Sequence, residues 1–187
     1  SASQLSTPAL GQVHALTADD LQSLSQLSSP ALSSVGGGGI TLTKTDDSTT
    51  TTAPAGGVKL FSGLNIGTAS SDRIVVIAHS WERYEITSAT IGGVTATIAD
   101  QQMSSNVSNS AILYAVVPTG TTADVEITYT TSPSFLAVSV YTITGAETTH
   151  FAAGGDVALL GAIASADVSG SAGGVAVAAS FLREEGT

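Results

Sequence analysis

The densest run of side chains able to do chemistry is His79-Ser80-Trp81-Glu82-Arg83-Tyr84-Glu85, which holds the only tryptophan of the chain. An aromatic face bordered by charges can bind a sugar ring, so Trp81, Arg83 and Tyr84 are candidate glycan contacts. The competing reading is that the two rings close the end of a β-sandwich with their polar tips in water. Other chemistries are poorly served. His14, His79 and His150 are the three histidines, and none has the H-x-x-x-H or H-E-x-x-H spacing that aims two ring nitrogens at one metal. His79 ends an apolar run and reads as a hydrogen-bonded core histidine. No G-x-S-x-G elbow occurs, and Ser80 cannot use His79 as its base, because successive strand residues point to opposite faces. The glycine runs at Gly36, Gly56, Gly92, Gly154 and Gly173 lack the Lys-Ser/Thr of a phosphate loop and read as turns and linkers. Asp46-Asp47 reads as a solvated loop tip, since calcium asks for ~6–8 oxygen ligands and no further acid lies nearby in the chain. No carboxylate pair stands out for glycoside hydrolysis. The expectation is a protein with no catalytic residue, no metal site and no cofactor.

Composition says what scaffold would carry these residues. The chain has 187 residues, no cysteine and 11% charged residues, well under the ~25% of an average soluble chain. Packing and backbone hydrogen bonds must therefore hold the fold, with Ser and Thr supplying much of the polarity. Five basic residues against fifteen acidic ones leave a net charge of −10. A nucleic-acid binder making ~6–10 phosphate contacts needs more cations than that, and no polybasic patch exists to dock on anionic lipid. No stretch approaches the ~18 apolar residues of a membrane span, and the opening SASQLSTPAL has neither the cationic start nor the apolar run of a secretory signal.

Leu5-Ser6-Thr7-Pro8-Ala9-Leu10 is echoed by Leu27-Ser28-Ser29-Pro30-Ala31-Leu32, twenty-two residues on. Internal similarity at such a period marks units too small to bury their own faces, which must lie against a neighbour or another chain. Between the echoes Thr17 can cap a short helix with Asp19 and Asp20 in its first turn and Leu21, Leu24 and Leu27 on one face, marginal without support. Residues 1–35 thus read as an extended or partly helical anchor, and Gly36 to Gly39 as a flexible linker.

From residue 40 to 187 the signals are those of an all-β domain. Residues 40–44 alternate apolar and hydroxyl side chains, and 73–79 form a β-branched run suited to a central strand. Residues 86–91 and 94–98 flank a Gly92-Gly93 hairpin turn. Residues 111–117 lead into the turn Pro118-Thr119-Gly120, followed by strands at 124–130, 136–143, 157–163 and 174–182. Short strands with turn signals between them, and no helical segment separating them, predict a β-sandwich or jelly roll. The final strand runs into Arg183-Glu184-Glu185 with no closing element after it. The domain is therefore expected to be incomplete at that end or finished by a neighbour, and an open edge is a place for pairing.

The segment Pro8-Ala9-Leu10-Gly11-Gln12-Val13-His14-Ala15-Leu16-Thr17-Ala18 resembles the P-A-L-G-Q-x-H-x-L-T-A repeats of tailed-phage and prophage virion proteins. The body is similar to the β-domain of such proteins through Asp72-Arg73-Ile74-Val75-Val76, Ala89-Thr90-Ile91-Gly92-Gly93-Val94, Tyr114 to Thr121 and Val140 to Gly145. The resemblance implies a structural component of the virion, a head decoration or fibre or a tail-fibre part. Pro8, Leu10, Gln12, Val13, His14, Leu16, Leu21, Pro30 and Leu32 would serve as its anchor to other capsid or tail proteins, and the chain would assemble as a homo-oligomer, a trimer foremost. The alternative is a receptor- or carbohydrate-binding adhesion module that contacts host glycan through Trp81, Arg83 and Tyr84.

Overall fold

A computed structural model describes residues 39–104, 108–146 and 175–179. The expected anchor, its site residues Pro8 to Leu32 and the strand at 157–163 lie outside the described residues, as do 174 and 180–182; the described part of the strand expected at 174–182, residues 175–179, has no strand pairing.

Nine strands make up the described body: β1 (Thr41–Thr50), β2 (Val58–Asn65), β3 (Ile74–Glu82), β4 (Ile86–Ile91), β5 (Val94–Thr95), β6 (Thr97–Ser104), β7 (Ser108–Val116), β8 (Thr122–Tyr129) and β9 (Ser134–Thr144). They form two antiparallel sheets, ordered β1-β9-β3-β7-β6 and β2-β8-β4-β5. Pairing β1 with β9, β2 with β8, β3 with β7 and β4 with β5 makes one long antiparallel ribbon, wrapped so that successive pairs fall in alternate sheets. That wrap is a jelly roll, and the all-β expectation holds.

Period-two patterning sets which side chains fill the space between the sheets. On β8, Ala123, Val125, Ile127 and Tyr129 point inward while Asp124 and Glu126 stay exposed. Val75, Ile77, His79 and Trp81 do the same on β3, opposite Leu136, Val138 and Val140 of β9. Full burial of each Ile, Leu or Val contributes about 1.5–3 kcal/mol of transfer free energy. β3 is buried on both sides, as its continuous apolar run predicts: Ile74 and Val76 join Ile143 on the outer face of the five-stranded sheet, where Val175 and Val177 pack against them.

The Gly92-Gly93 turn forms as expected, with both residues in the left-handed region (φ 59° and 77°) that a tight hairpin requires. The strand predicted at 94–98, however, is split at Ala96, where the chain leaves one sheet for the other; the Ala96 N–H donates to the Ala89 carbonyl at 2.9 Å. β1 continues past residue 44 to Thr50, so Asp46 and Asp47 lie within a strand and not at a loop tip. A register shift between Lys44 and Asp46 admits them, and the Asp46 carboxylate accepts the Asn65 N–H at 2.7 Å. β2 escaped sequence reading because a bulge across Ser62-Gly63 breaks its alternation.

The long edge strands share a defence. β1, β2 and β6 each carry a register shift, and each sets charge beside it: the Lys44–Asp47 ion pair (3.2 Å), Lys59 lying 5.4 Å over the Phe61 ring, and Asp100. β5, the remaining edge, is two residues long. Bulges, charges and short strands are how sheet edges resist pairing with another chain.

At one end of the roll the Arg73 guanidinium is inaccessible to solvent. It donates to four main-chain carbonyls: Val117 (2.8 Å), Ile66 (3.1 Å), Gly67 (2.9 Å) and Thr119 (2.7 Å). These lie on the β2–β3 and β7–β8 connections, so one side chain ties two loops to the start of β3. Beside it Asp72 accepts the Ser70 hydroxyl and, at 2.6 Å, the Gly145 N–H. The two bonds, the Ser70 one foremost, hold its carboxyl below the usual carboxylate range.

Candidate binding site at the corner between β3 and β4

At the opposite end of β3 the residues singled out from sequence separate into core and surface. The His79 ring is fully buried. A carbonyl can only accept, so Nδ1–H donates to the Ala137 carbonyl (2.8 Å) and the Nε2 lone pair must accept the Tyr129 hydroxyl (2.7 Å). The imidazole also stacks on the Trp81 ring, 4.8 Å between centroids and 7° from parallel. Burial pushes the histidine from 6.5 down to about 4, against a smaller opposite pull from the Ala137 bond, and pushes the Tyr129 phenol well above its ordinary range. Both groups are therefore neutral at physiological pH and fully engaged in holding β3, β8 and β9 together. The core reading of His79 is correct.

Trp81 is as buried as His79, and its indole N–H donates to the Tyr84 carbonyl at 2.6 Å. The ring named as a candidate glycan contact thus offers no face to solvent. Its position follows from strand parity: Trp81 shares the inward face with His79 and Ile77. It also differs from the other expectation for this ring, since its polar tip is bonded to the chain and not to water. Arg83 is exposed and Tyr84 is half-buried against the core.

Arg83 and Tyr84 are consecutive residues with positive φ, 63° and 54°. The only other non-glycine residue with positive φ among the described residues is Phe135, at φ 50°. It follows Ser134, the β9 partner of Glu82. Trp81 pairs with Leu136 and Glu82 with Ser134, which leaves Phe135 as the extra residue of a bulge at the start of β9. The left-handed position of such a bulge normally belongs to glycine. A phenylalanine there costs about 1–2 kcal/mol in backbone strain, and the residue is 44% exposed. Across the bulge the Ser134 hydroxyl donates to the Glu82 carboxylate at 3.1 Å.

Asn109 adds to the cost at this end. It lies on β7 opposite Trp81 of β3, is almost fully buried, and both polar atoms of its amide lack a partner among the described residues. A desolvated amide left unpaired costs about 1–3 kcal/mol.

Sequence reading found Arg83 and Tyr84 but missed Phe135, although a signal was present. Leu136, Val138 and Val140 fix the inward parity of β9, so the aromatic just before them faces out.

Among the described residues no group of three or more His, Asp or Glu could hold a metal ion, and no helix is long and apolar enough to cross a membrane. Comparison of the chain with protein-family models, curated proteins and solved structures finds no match.

Proposed function

We propose that this protein is a non-enzymatic structural component of a tailed-phage virion, held to other capsid or tail proteins by residues 1–35 and displaying the jelly roll to solvent as a homo-oligomer. The supporting observation is a jelly roll whose edges are blunted and whose buried ionisable groups are committed to holding strands. His79 and Tyr129 bond each other, and Arg73 is bound to four carbonyls. Jelly rolls serve as viral coat and lectin domains, a fold-level analogy that the repeat motif at Pro8 to Ala18 narrows to the virion. The charge of −10 keeps copies of the body from adhering non-specifically to nucleic acid or to one another.

The test is to induce phage production in a host carrying a tagged copy, purify particles on a density gradient and probe them for the chain. The tag should co-migrate with particles. Deleting residues 1–35 should leave it in the soluble fraction, with the β body folded by circular dichroism. Particles devoid of the full-length chain would sink the proposal. A strictly monomeric full-length chain in sedimentation velocity would remove the oligomer.

A further inference from the structure

We propose that residues 175–179 form a strap over the outer face of the five-stranded sheet, and that its release lets this face meet the same face of a second copy. Parity puts Ile74, Val76 and Ile143 on the side of β3 and β9 that faces away from the inner core, yet all three are buried. Residues on the outside of a sandwich are buried only when something lies over them. Val175 and Val177 pack against this cluster, and the strap alternates as a strand would, with 175, 177 and 179 half-buried and 176 and 178 exposed.

The strap is held differently from the strands beneath it. It has no strand pairing, so its described hold on the sheet is the packing of alternate side chains. Residues 145–174 separate it in sequence from the end of β9, and closing a connection of that length carries an entropy cost that release returns. Segments with few buried apolar contacts and no ladder open at lower free energy than a core. The inner cluster around Ile77, Trp81 and Val138 is a separate one, so release leaves the jelly roll folded.

Charge and area name the occupant. Across β1, β9, β3 and β7 the face carries Leu42, Ile143, Ile74 and Val116 in one register row and Tyr141 beside Val76 in the next, and neither row holds a carboxylate. On a chain of net charge −10 such a stretch is where two copies approach against the least repulsion. Strands ~4.8 Å apart, each about eight residues long, give a five-stranded sheet a footprint on the order of 500 Å². That is under the ~800 Å² per side of a standard interface, so the contact is weak, concentration-dependent and two-fold, the same patch serving both copies. For its partner the inference rests on the homo-oligomer reading, and it does not depend on the virion.

The experiment compares the full chain with two double variants by binding of the dye anilinonaphthalene sulfonate and by sedimentation velocity over a concentration series. Near-ultraviolet circular dichroism of Trp81 reports the inner core. Val175→Ser with Val177→Ser should keep the Trp81 signal, bind the dye severalfold more and self-associate at roughly tenfold lower concentration, because apparent affinity scales with the open fraction. Ala176→Ser with Ala178→Ser, on the exposed side of the strap, should match the parent. Adding Tyr141→Lys to the valine variant should leave the Trp81 signal intact and remove the gained association. Unchanged dye binding, an equal effect of the alanine variant, or loss of the Trp81 signal would overturn the strap. Association that fails to rise, or that survives Tyr141→Lys, would overturn the second copy as its partner. None of these readouts involves particles, so failure of the virion reading stays separate.

Discussion

Acidification should destabilise this protein well before its carboxylates titrate, because the interior holds a neutral histidine. The unfolded chain takes up a proton at His79 as pH falls below 6.5, whereas the folded chain resists until about 4. The folded value is the lower one, so the contribution to stability is complete above pH 6.5 and is lost progressively down to about 4. Within that window the loss approaches ~1.4 kcal/mol per pH unit, reaching about 2 kcal/mol by pH 5 and roughly 3 kcal/mol in full. Urea unfolding followed by Trp81 fluorescence, at fixed ionic strength between about pH 7.5 and pH 5, reads this directly as a falling midpoint. Stopping near pH 5 avoids the ordinary titration of unfolded Asp and Glu at ~4. His79→Phe keeps a ring against Trp81 but leaves the Ala137 carbonyl and the Tyr129 hydroxyl unpaired. It should be less stable at pH 7.5 by about 1–3 kcal/mol per orphaned group, with the slope gone. A midpoint that stays flat in the parent, or a slope that survives in His79→Phe, refutes the reasoning.

Other perturbations probe the remaining interior bonds. Arg73→Met strips four loop carbonyls of their donor and should cost about 3–5 kcal/mol in chemical denaturation; a loss under ~1 kcal/mol would mean that water replaces the guanidinium. Gly145→Ala meets the Gly39 carbonyl at a positive φ, so its melting temperature should drop by an amount equivalent to more than ~1 kcal/mol, and a neutral result would show that this approach relaxes. Tyr129→Phe leaves the His79 Nε2 lone pair without a donor and should cost about 1–3 kcal/mol, checked by urea titration at neutral pH. Phe135→Gly should gain about 0.5–1 kcal/mol, the relieved left-handed strain exceeding the entropy that glycine adds to the unfolded chain; a destabilised variant would show that the exposed ring packs better than its accessibility indicates.

Local patterning was legible where it repeats over neighbouring residues. The alternation of β8, the apolar run of β3 and the Gly92-Gly93 turn are statements about residues a few positions apart, and the folded chain keeps them because each agrees with the buried face it must present. Bulges broke that legibility. At Ser62-Gly63 and around Asp46 one extra residue reverses the parity, so a strand reads as a loop. The site was half legible for a similar reason. Composition drew attention to Trp81, Arg83 and Tyr84, but parity along β3 turns Trp81 inward, and the aromatic that does reach solvent lies fifty-four residues further on.

The amino-acid sequence by itself determined that this body is all β, that His79 belongs to its interior, and where its tightest turn falls, since strand periodicity and glycine conformation are local physics. Only the tertiary structure decided that the ribbon wraps as a jelly roll, that Arg73 ties loops from two connections, and that Phe135 is the extra residue of a β9 bulge opposite the end of β3. Those outcomes depend on which strands pair and in what register, and pairing is settled by the packing of the whole core, which no short window of residues contains.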